Sequence, residues 1–461
     1  MSWRHRFLIG AGGLALSATP ILWASAQTSE TGFEAFLDLS QTLRVSDNSE
    51  NVSYPSGTST FAQTDLTFGI SSQTRAEKFD LRIGGAAQFG YFADDGGTGT
   101  DFENPFASLS YEREASNSRL SFSANVIQKD ASSVILDSDF DSSDLTVDSG
   151  KRNYISAKAG FETGIDGPLG FSVDAGLRKR TYSDTTDPSL TDNKRETIDA
   201  AMRFQVSPVL ELKALTGYDL YTAEDAADTE RKRVYFGAGF AYDATPSLSF
   251  SGRLTQDMID RSETVNGTRT TNSVDEASLR LGAQQELANG NLSADLTSRA
   301  ESTGRRNTFT LGREMELRSG ALGFHLGVTD SEDTDARAIA GLSYEQELPA
   351  GRFIADLTQT ALTDTNDSEI LRTQLSMNYQ HEINASSSLG ARFTYADVNS
   401  LTAGTADTER ASLSVSYNYA LTQDWNMQTG FEHSYANESG SDATRANTVF
   451  LGLERRFSLR N

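Results

Sequence analysis

The chain has no cysteine, only 8 prolines and only 3 tryptophans in 461 residues, and no long apolar run beyond its first thirty positions. Each shortage excludes something. Without cysteine there is no disulfide scaffold and no thiolate metal site, although the compartment stays open. A membrane-spanning helix needs roughly 20 continuous apolar residues, and no segment after the leader offers them. A helical membrane protein is therefore excluded. Basic residues are also in short supply: 40 Lys and Arg stand against 64 Asp and Glu, a formal charge of −24. Nucleic-acid contacts run from Lys and Arg to phosphates, so nucleic acid is not an expected partner.

The N-terminus indicates export. Arg4, His5 and Arg6 precede an apolar stretch from Phe7 to about Trp23, and Ala24-Ser25-Ala26 forms a small-x-small cleavage pattern. This reads as a secretory signal peptide over residues 1–26. The alternative is an uncleaved anchor helix, which its glycines and Pro20 interrupt. Gln27 follows the cleavage pattern where a lipoprotein would have Cys. Cleavage removes Arg4 and Arg6 and no acid, which moves the formal charge from −24 to −26. Solubility accounts for much of that acid.

What the chain does have is alternation. In VYFGAGFAYDATPSLSFSGRLTQ, apolar residues occupy every second position at Val234, Phe236, Ala238, Phe240 and Tyr242, and again at Leu248, Phe250 and Leu254. The same period of two begins at Phe33, Ala35, Leu37 and Leu39. It recurs at Leu81, Ile83, Phe89 and Tyr91, at Leu120, Phe122 and Val126, and at Leu322, Phe324, Leu326 and Val328, and it closes with Val449, Leu451 and Leu453. Such alternation marks half-buried strands, and no helical stripe competes with it.

Two kinds of separator take turns. Short ones carry four of the prolines, at Pro168, Pro208, Pro246 and Pro349, and no proline is expected in mid-strand. Longer ones, rich in Asp, Thr, Ser and Asn, occupy residues 46–59, 93–104, 129–150, 183–194, 257–273, 397–408 and 436–444. Counting each alternating run as a strand gives about 22 strands, with 16 to 22 as the range. About ten short turns and eleven longer loops join them. A soluble sandwich would not distinguish its two ends so systematically. A closed barrel in lipid would, with its apolar face outward and its polar face toward a watery lumen. The expected fold is all-β: a transmembrane antiparallel up-and-down β-barrel preceded by a cleaved signal peptide.

On these residues the chain resembles the outer-membrane β-barrel proteins of Gram-negative bacteria, the porin-like group. The resemblance covers the whole mature chain and rests on architecture. It implies a C-terminal strand with alternating apolar residues and a terminal Phe. Leu451, Leu453 and Phe457 keep that spacing, but Ser458-Leu459-Arg460-Asn461 follow. It also implies outer-membrane lipids, lipopolysaccharide and the barrel-assembly machinery as partners, with both termini in the periplasm. Strand pattern starts at Phe33 and reaches Leu459, so residues 27–461 are expected to be barrel alone, with neither an N-terminal plug of the TonB-dependent type nor a periplasmic domain.

Two groups of residues are candidates for function. From Asp130 to Ser149 the third long loop carries six Asp and no Lys or Arg. In general porins the loop at this place narrows the pore. Asp137, Asp139, Asp141, Asp144 and Asp148 are therefore candidate constriction residues, with an ordinary exposed acidic loop as the alternative. Asp137, Asp139, Asp141 and Asp148 also have spacing reminiscent of a calcium loop, but Ser142 replaces the turn glycine and no helices flank it. Arg82, Arg178, Arg203, Arg253, Arg280, Arg299 and Arg392 have the parity opposite to the apolar positions and are expected on the pore wall. Asp174, Asp199, Asp295 and Glu345 share that face. Structural ion pairing is the alternative to selectivity. His325, His381 and His433 make a poor catalytic set, with His381 expected in a turn, so neither an enzyme nor a cofactor is expected. Most aromatics share the lipid parity. The function expected from the sequence is a passive pore for small hydrophilic solutes, with a preference for cations if the acidic loop folds into the lumen. The alternatives are a polymer-export or secretion-partner barrel and a structural or adhesive barrel.

Overall fold

The computed structural model describes residues 32–93, 96–130, 150–185, 190–332, 334–363, 369–401 and 407–460. They form 22 strands and, among the described residues, no helix. The first eleven are β1 (Gly32–Ser46), β2 (Ser59–Gln73), β3 (Glu77–Phe92), β4 (Gly97–Ala115), β5 (Ser118–Asp130), β6 (Lys151–Thr163), β7 (Leu169–Ser183), β8 (Asn193–Ser207), β9 (Leu210–Ala223), β10 (Glu230–Thr245) and β11 (Leu248–Val265). The rest are β12 (Thr268–Leu287), β13 (Gly290–Glu301), β14 (Gly304–Leu317), β15 (Gly320–Ser331), β16 (Thr334–Leu348), β17 (Gly351–Thr363), β18 (Glu369–Asn384), β19 (Ser387–Ser400), β20 (Thr408–Ala420), β21 (Trp425–Glu438) and β22 (Thr444–Arg460).

Each strand pairs antiparallel with its sequence neighbours, and β1 pairs with β22 from Glu34↔Arg460 to Ser46↔Thr448. The sheet therefore closes and has no edge, the condition for placing strands in hydrocarbon. At the seam Phe457 lies opposite Leu37 and Leu453 opposite Gln41, so the C-terminal apolar alternation joins that of β1 on one face.

The exposed side of the wall is its apolar side. Phe236 is 55% exposed, Leu254 56% and Leu326 64%, whereas inward Tyr235 is 8% and Thr255 3%. A sandwich in water would show the reverse. The buried apolar cluster among the described residues holds only Ile370, Ala396 and Val398, with Leu362 against it. Backbone ladders and lipid contact therefore replace an apolar core. Tyr242 and Phe250 face each other across the β10–β11 ladder beside a short turn, a place for an interfacial aromatic.

Three details differ from the sequence reading. Residues 257–273 are mostly strand: β11 and β12 continue as a polar ladder to a tight turn at Asn266-Gly267. Residues 97–104 likewise belong to β4. Backbone pairing does not require an apolar face, and threonines such as Thr268, Thr270 and Thr271 suit a strand, so pairing outlasts the alternation. Pro105 lies inside β4, not outside a strand. It sits at a bulge, where the register with β3 shifts between Gly84 and Ala86 and Asn104 takes a positive φ of 51°. The ladder hydrogen bond that proline would delete is already absent there.

Candidate functional site

Burial on the lumen wall concentrates toward the end that carries the β1–β2, β17–β18 and β21–β22 connections: Ser59 and Ala396 are 0% exposed, and Ile370, Arg410, Ala436 and Thr444 are also buried. The tips of the β13–β14 and β17–β18 hairpins are stapled together at this end. Arg306 donates from Nη2 to both carboxylate oxygens of Glu369 at 2.5 and 2.7 Å, and from Nε to Glu301 at 3.2 Å. The Thr363 hydroxyl lies 2.9 Å from Glu301 and 2.6 Å from Glu369. Removal from water makes such a bidentate pair strong when complete and costly when broken.

The β1–β2 connection is latched over the barrel seam. Asn48 Nδ2 donates to the Val52 and Arg445 carbonyls at 2.6 and 2.9 Å, and Ser53 Oγ donates to the Asp442 carbonyl at 2.8 Å. The Tyr54 hydroxyl donates to the Asp442 carboxylate. That hydrogen bond, with the charge of Asp442, raises the Tyr54 pKa above its ordinary value of 10.0.

An arginine band crosses the wall between β8 and β13. Arg233 donates to Asp257 Oδ1 at 2.9 and 2.6 Å, and Asp257 is 0% exposed. Arg195 forms a two-pronged pair with Asp219. The Tyr235 ring lies between two guanidinium groups, with Arg253 4.8 Å and Arg233 5.2 Å from its centre, while its hydroxyl donates to Asp199. Arg231 stacks on Tyr221 at 5.3 Å. Arg299 reaches into this group from β13, within electrostatic range of Arg195, Arg231 and Arg233 and of Glu301. It makes no hydrogen bond or ion pair among the described residues. Strands β8 and β13 are five apart along the wall, so these side chains converge across the lumen. Five arginines and two tyrosines thus surround three aspartates, and one guanidinium is free.

The opposite end of the lumen is acidic. Asp243, Glu286, Glu316, Glu347 and Glu382 each hold the last or next-to-last inward position before a short turn. Each backbone N–H donates to a carbonyl of the neighbouring hairpin's turn, at 2.9, 2.6, 3.0, 2.7 and 2.6 Å respectively. The lumen therefore carries the arginine band toward its long-loop end and these five carboxylates at the short-turn rim.

The sequence candidates fall as follows. Asp137, Asp139, Asp141, Asp144 and Asp148, with the calcium-like spacing, lie outside the described residues; elsewhere no cluster of metal-binding side chains occurs among the described residues. The signal peptide lies outside them too. The seven arginines all take the inward parity but are dispersed. Arg82 pairs with Asp80 at 3.0 Å, Arg280 with Asp295 at 3.7 Å, and Arg392 donates to Asn378 at 3.0 Å. Arg203 donates to the Gly164 and Ile165 carbonyls at 2.6 and 2.9 Å. Arg178 lies opposite Arg195, and only Arg253 and Arg299 join the band itself. His325 is in β15 and His433 in β21, whereas His381 is in β18 rather than in a turn. The sequence reading missed Arg195, Arg231 and Arg233, although their parity opposite to Ile198 and Val234 was visible. It also missed the inward aromatics Phe36, Phe61, Phe450, Tyr221 and Tyr235, which follow no alternating run.

No family model and no curated protein matches the chain. Solved structures do. The ferric-catecholate import receptor Fiu of E. coli matches at 12% identity and a TM-score of 0.58, over 93% of this chain and 82% of that one. The FrpB iron transporter of Neisseria meningitidis matches at 8% identity and 0.59, over 93% and 83%. The siderophore receptor PiuA of Acinetobacter baumannii matches at 10% identity and 0.55, over 92% and 82%. The fold is that of a bacterial outer-membrane β-barrel. These matches correct the expectation of a porin-like passive pore, and they favour neither the export nor the adhesive alternative. The physical reason is width. Barrel diameter grows with strand number, and porins that conduct passively have 16–18 strands, whereas 22-stranded transporters hold an obstructed lumen. The strand count expected from the sequence was right, but the function drawn from it belonged to a narrower barrel.

Proposed function

We propose that the chain is an outer-membrane import receptor for an anionic, aromatic ferric chelate of the catecholate class. The observation that carries this reading is the arginine band with its free Arg299. Its guanidinium groups and flanking Tyr221 and Tyr235 offer charge-assisted hydrogen bonds to catecholate oxygens and flat faces to catechol rings. The likeness to iron receptors supports it as a fold able to do this. The side chains packed at the long-loop mouth support capture over free diffusion. In this reading the short turns face the periplasm, and the acidic rim opposes an anion leaving the band on that side.

The test is uptake of radioactive iron as a ferric tris-catecholate by cells that lack their own catecholate receptors. Expression of the chain should give saturable uptake, and Arg299→Gln should reduce it while leaving the barrel folded. Uptake that rises linearly with concentration, or that does not depend on Arg299, would defeat the proposal.

A further inference from the structure

Beside the arginine band the lumen wall dips into a recess of about 620 Å³ between β4 and β8. Register explains it. Ser110, Ser123, Lys158, Gly176 and Thr197 form one inward row across the five strands. The next inward row carries Gly160 and Asp174 side by side. Short side chains make the floor thin, and the two glycines keep it open. A Cβ at Gly160 would stand 2.7 Å from Ser121 Oγ and 3.0 Å from Asp174 Oδ1, and one at Gly176 would stand 2.6 Å from Thr197 Oγ1.

Most charges around the recess are already matched. Glu112 pairs with Arg119 at 3.2 Å and Arg195 with Asp219. Asp199 accepts from the neutral Tyr235 hydroxyl and lies directly opposite Asp174, so its negative charge adds to that of Asp174. Arg178 has a partner of its own. Two side chains are left without any such contact. Lys158 and Asp174 make no hydrogen bond or ion pair among the described residues. They are of opposite sign and stand on neighbouring strands, Lys158 facing Gly176 and Asp174 facing Gly160. Such diagonal positions lie roughly 7–8 Å apart. A ligand that met only one of them would leave the other charge without a partner.

We infer that this recess binds a zwitterionic group, with a free carboxylate on Lys158 and an ammonium on Asp174. The inference does not depend on the ferric-catecholate reading. The test is calorimetric titration of the full chain in detergent micelles with diglycine, N-acetyldiglycine and glycylglycinamide. Diglycine should bind saturably, and each blocked analogue should bind at least about tenfold more weakly, the worth of one charge-assisted hydrogen bond. Lys158→Met should remove the preference for diglycine over the amide alone, and Asp174→Asn the preference over the N-acetyl analogue alone. Heat-modifiable gel migration checks that the variants are folded, and the three-probe comparison on the unaltered chain stands without them. L-Aspartate β-hydroxamate and its ferric complex separate the two sources of such a group. Equal affinity marks a site for free amino acids, tighter binding of the complex marks one for chelate-borne zwitterions, and both outcomes uphold the site. No saturable binding of diglycine, equal affinity for all three probes, or a Lys158→Met variant that weakens all three alike would overturn it. A ferric tris-catecholate titrated in parallel reports on the arginine band separately.

Discussion

At the residue scale, charge in this protein divides into pairs that hold the wall and groups left for a ligand. Glu369 belongs to the first kind. It is 2% exposed and holds Arg306, itself 8% exposed. Removing its charge leaves Arg306 with the Glu301 contact alone, so Glu369→Gln should destabilise the barrel by about 2 kcal/mol, the worth of the lost charge-assisted bonds. Urea unfolding in lipid vesicles measures this, and an unchanged midpoint would show that the staple contributes nothing. Tyr54 provides a pH test. Its pKa is raised, so its bond to Asp442 is present below the ordinary value of 10.0 and lost as pH climbs through the raised one. Asp442→Asn should therefore bring one tyrosine down in an alkaline ultraviolet titration, and superimposable curves would contradict the latch. Little of this was legible beforehand. Parity placed Arg299 on the inner wall, but the neighbours that give it meaning come from β8 and β10. Closure of the sheet makes those neighbours, and no local pattern records them.

At the element scale, the strands were legible because each must satisfy two solvents at once. Phe236 and Tyr235 are adjacent in sequence and face lipid and lumen respectively, and that demand writes itself as a period of two. The pattern loses meaning where a strand leaves the bilayer, which is why residues 257–273 read as loop while forming a ladder. Pro105 misled for a related reason, since a bulge is invisible to alternation. The hairpin tip at Asn266-Gly267 offers a test of orientation. A peptide tag inserted there should be reachable by antibody on intact cells, whereas one at Thr245–Ser247 should require permeabilised cells. The reverse pattern would mean that the short turns face outward.

At the scale of the whole molecule, strand number decided more than any residue. A barrel of 22 strands left open would breach the membrane's barrier, which is why the proposed function asks the lumen to recognise its cargo. The zoning of charge fits that requirement, with the arginine band toward the long-loop end of the lumen and carboxylates at the short-turn rim. The central claim is that the arginine band recognises an anionic ferric chelate. The most direct measurement is fluorescence titration of the purified barrel with a ferric tris-catecholate, at rising salt, for the native chain and for Arg299→Gln. The account predicts saturable binding that weakens with salt as screening shortens to about 10 Å at 0.1 M, and at least about a tenfold loss in the variant. Binding that is absent, or that is unchanged by salt and by loss of Arg299, would contradict it.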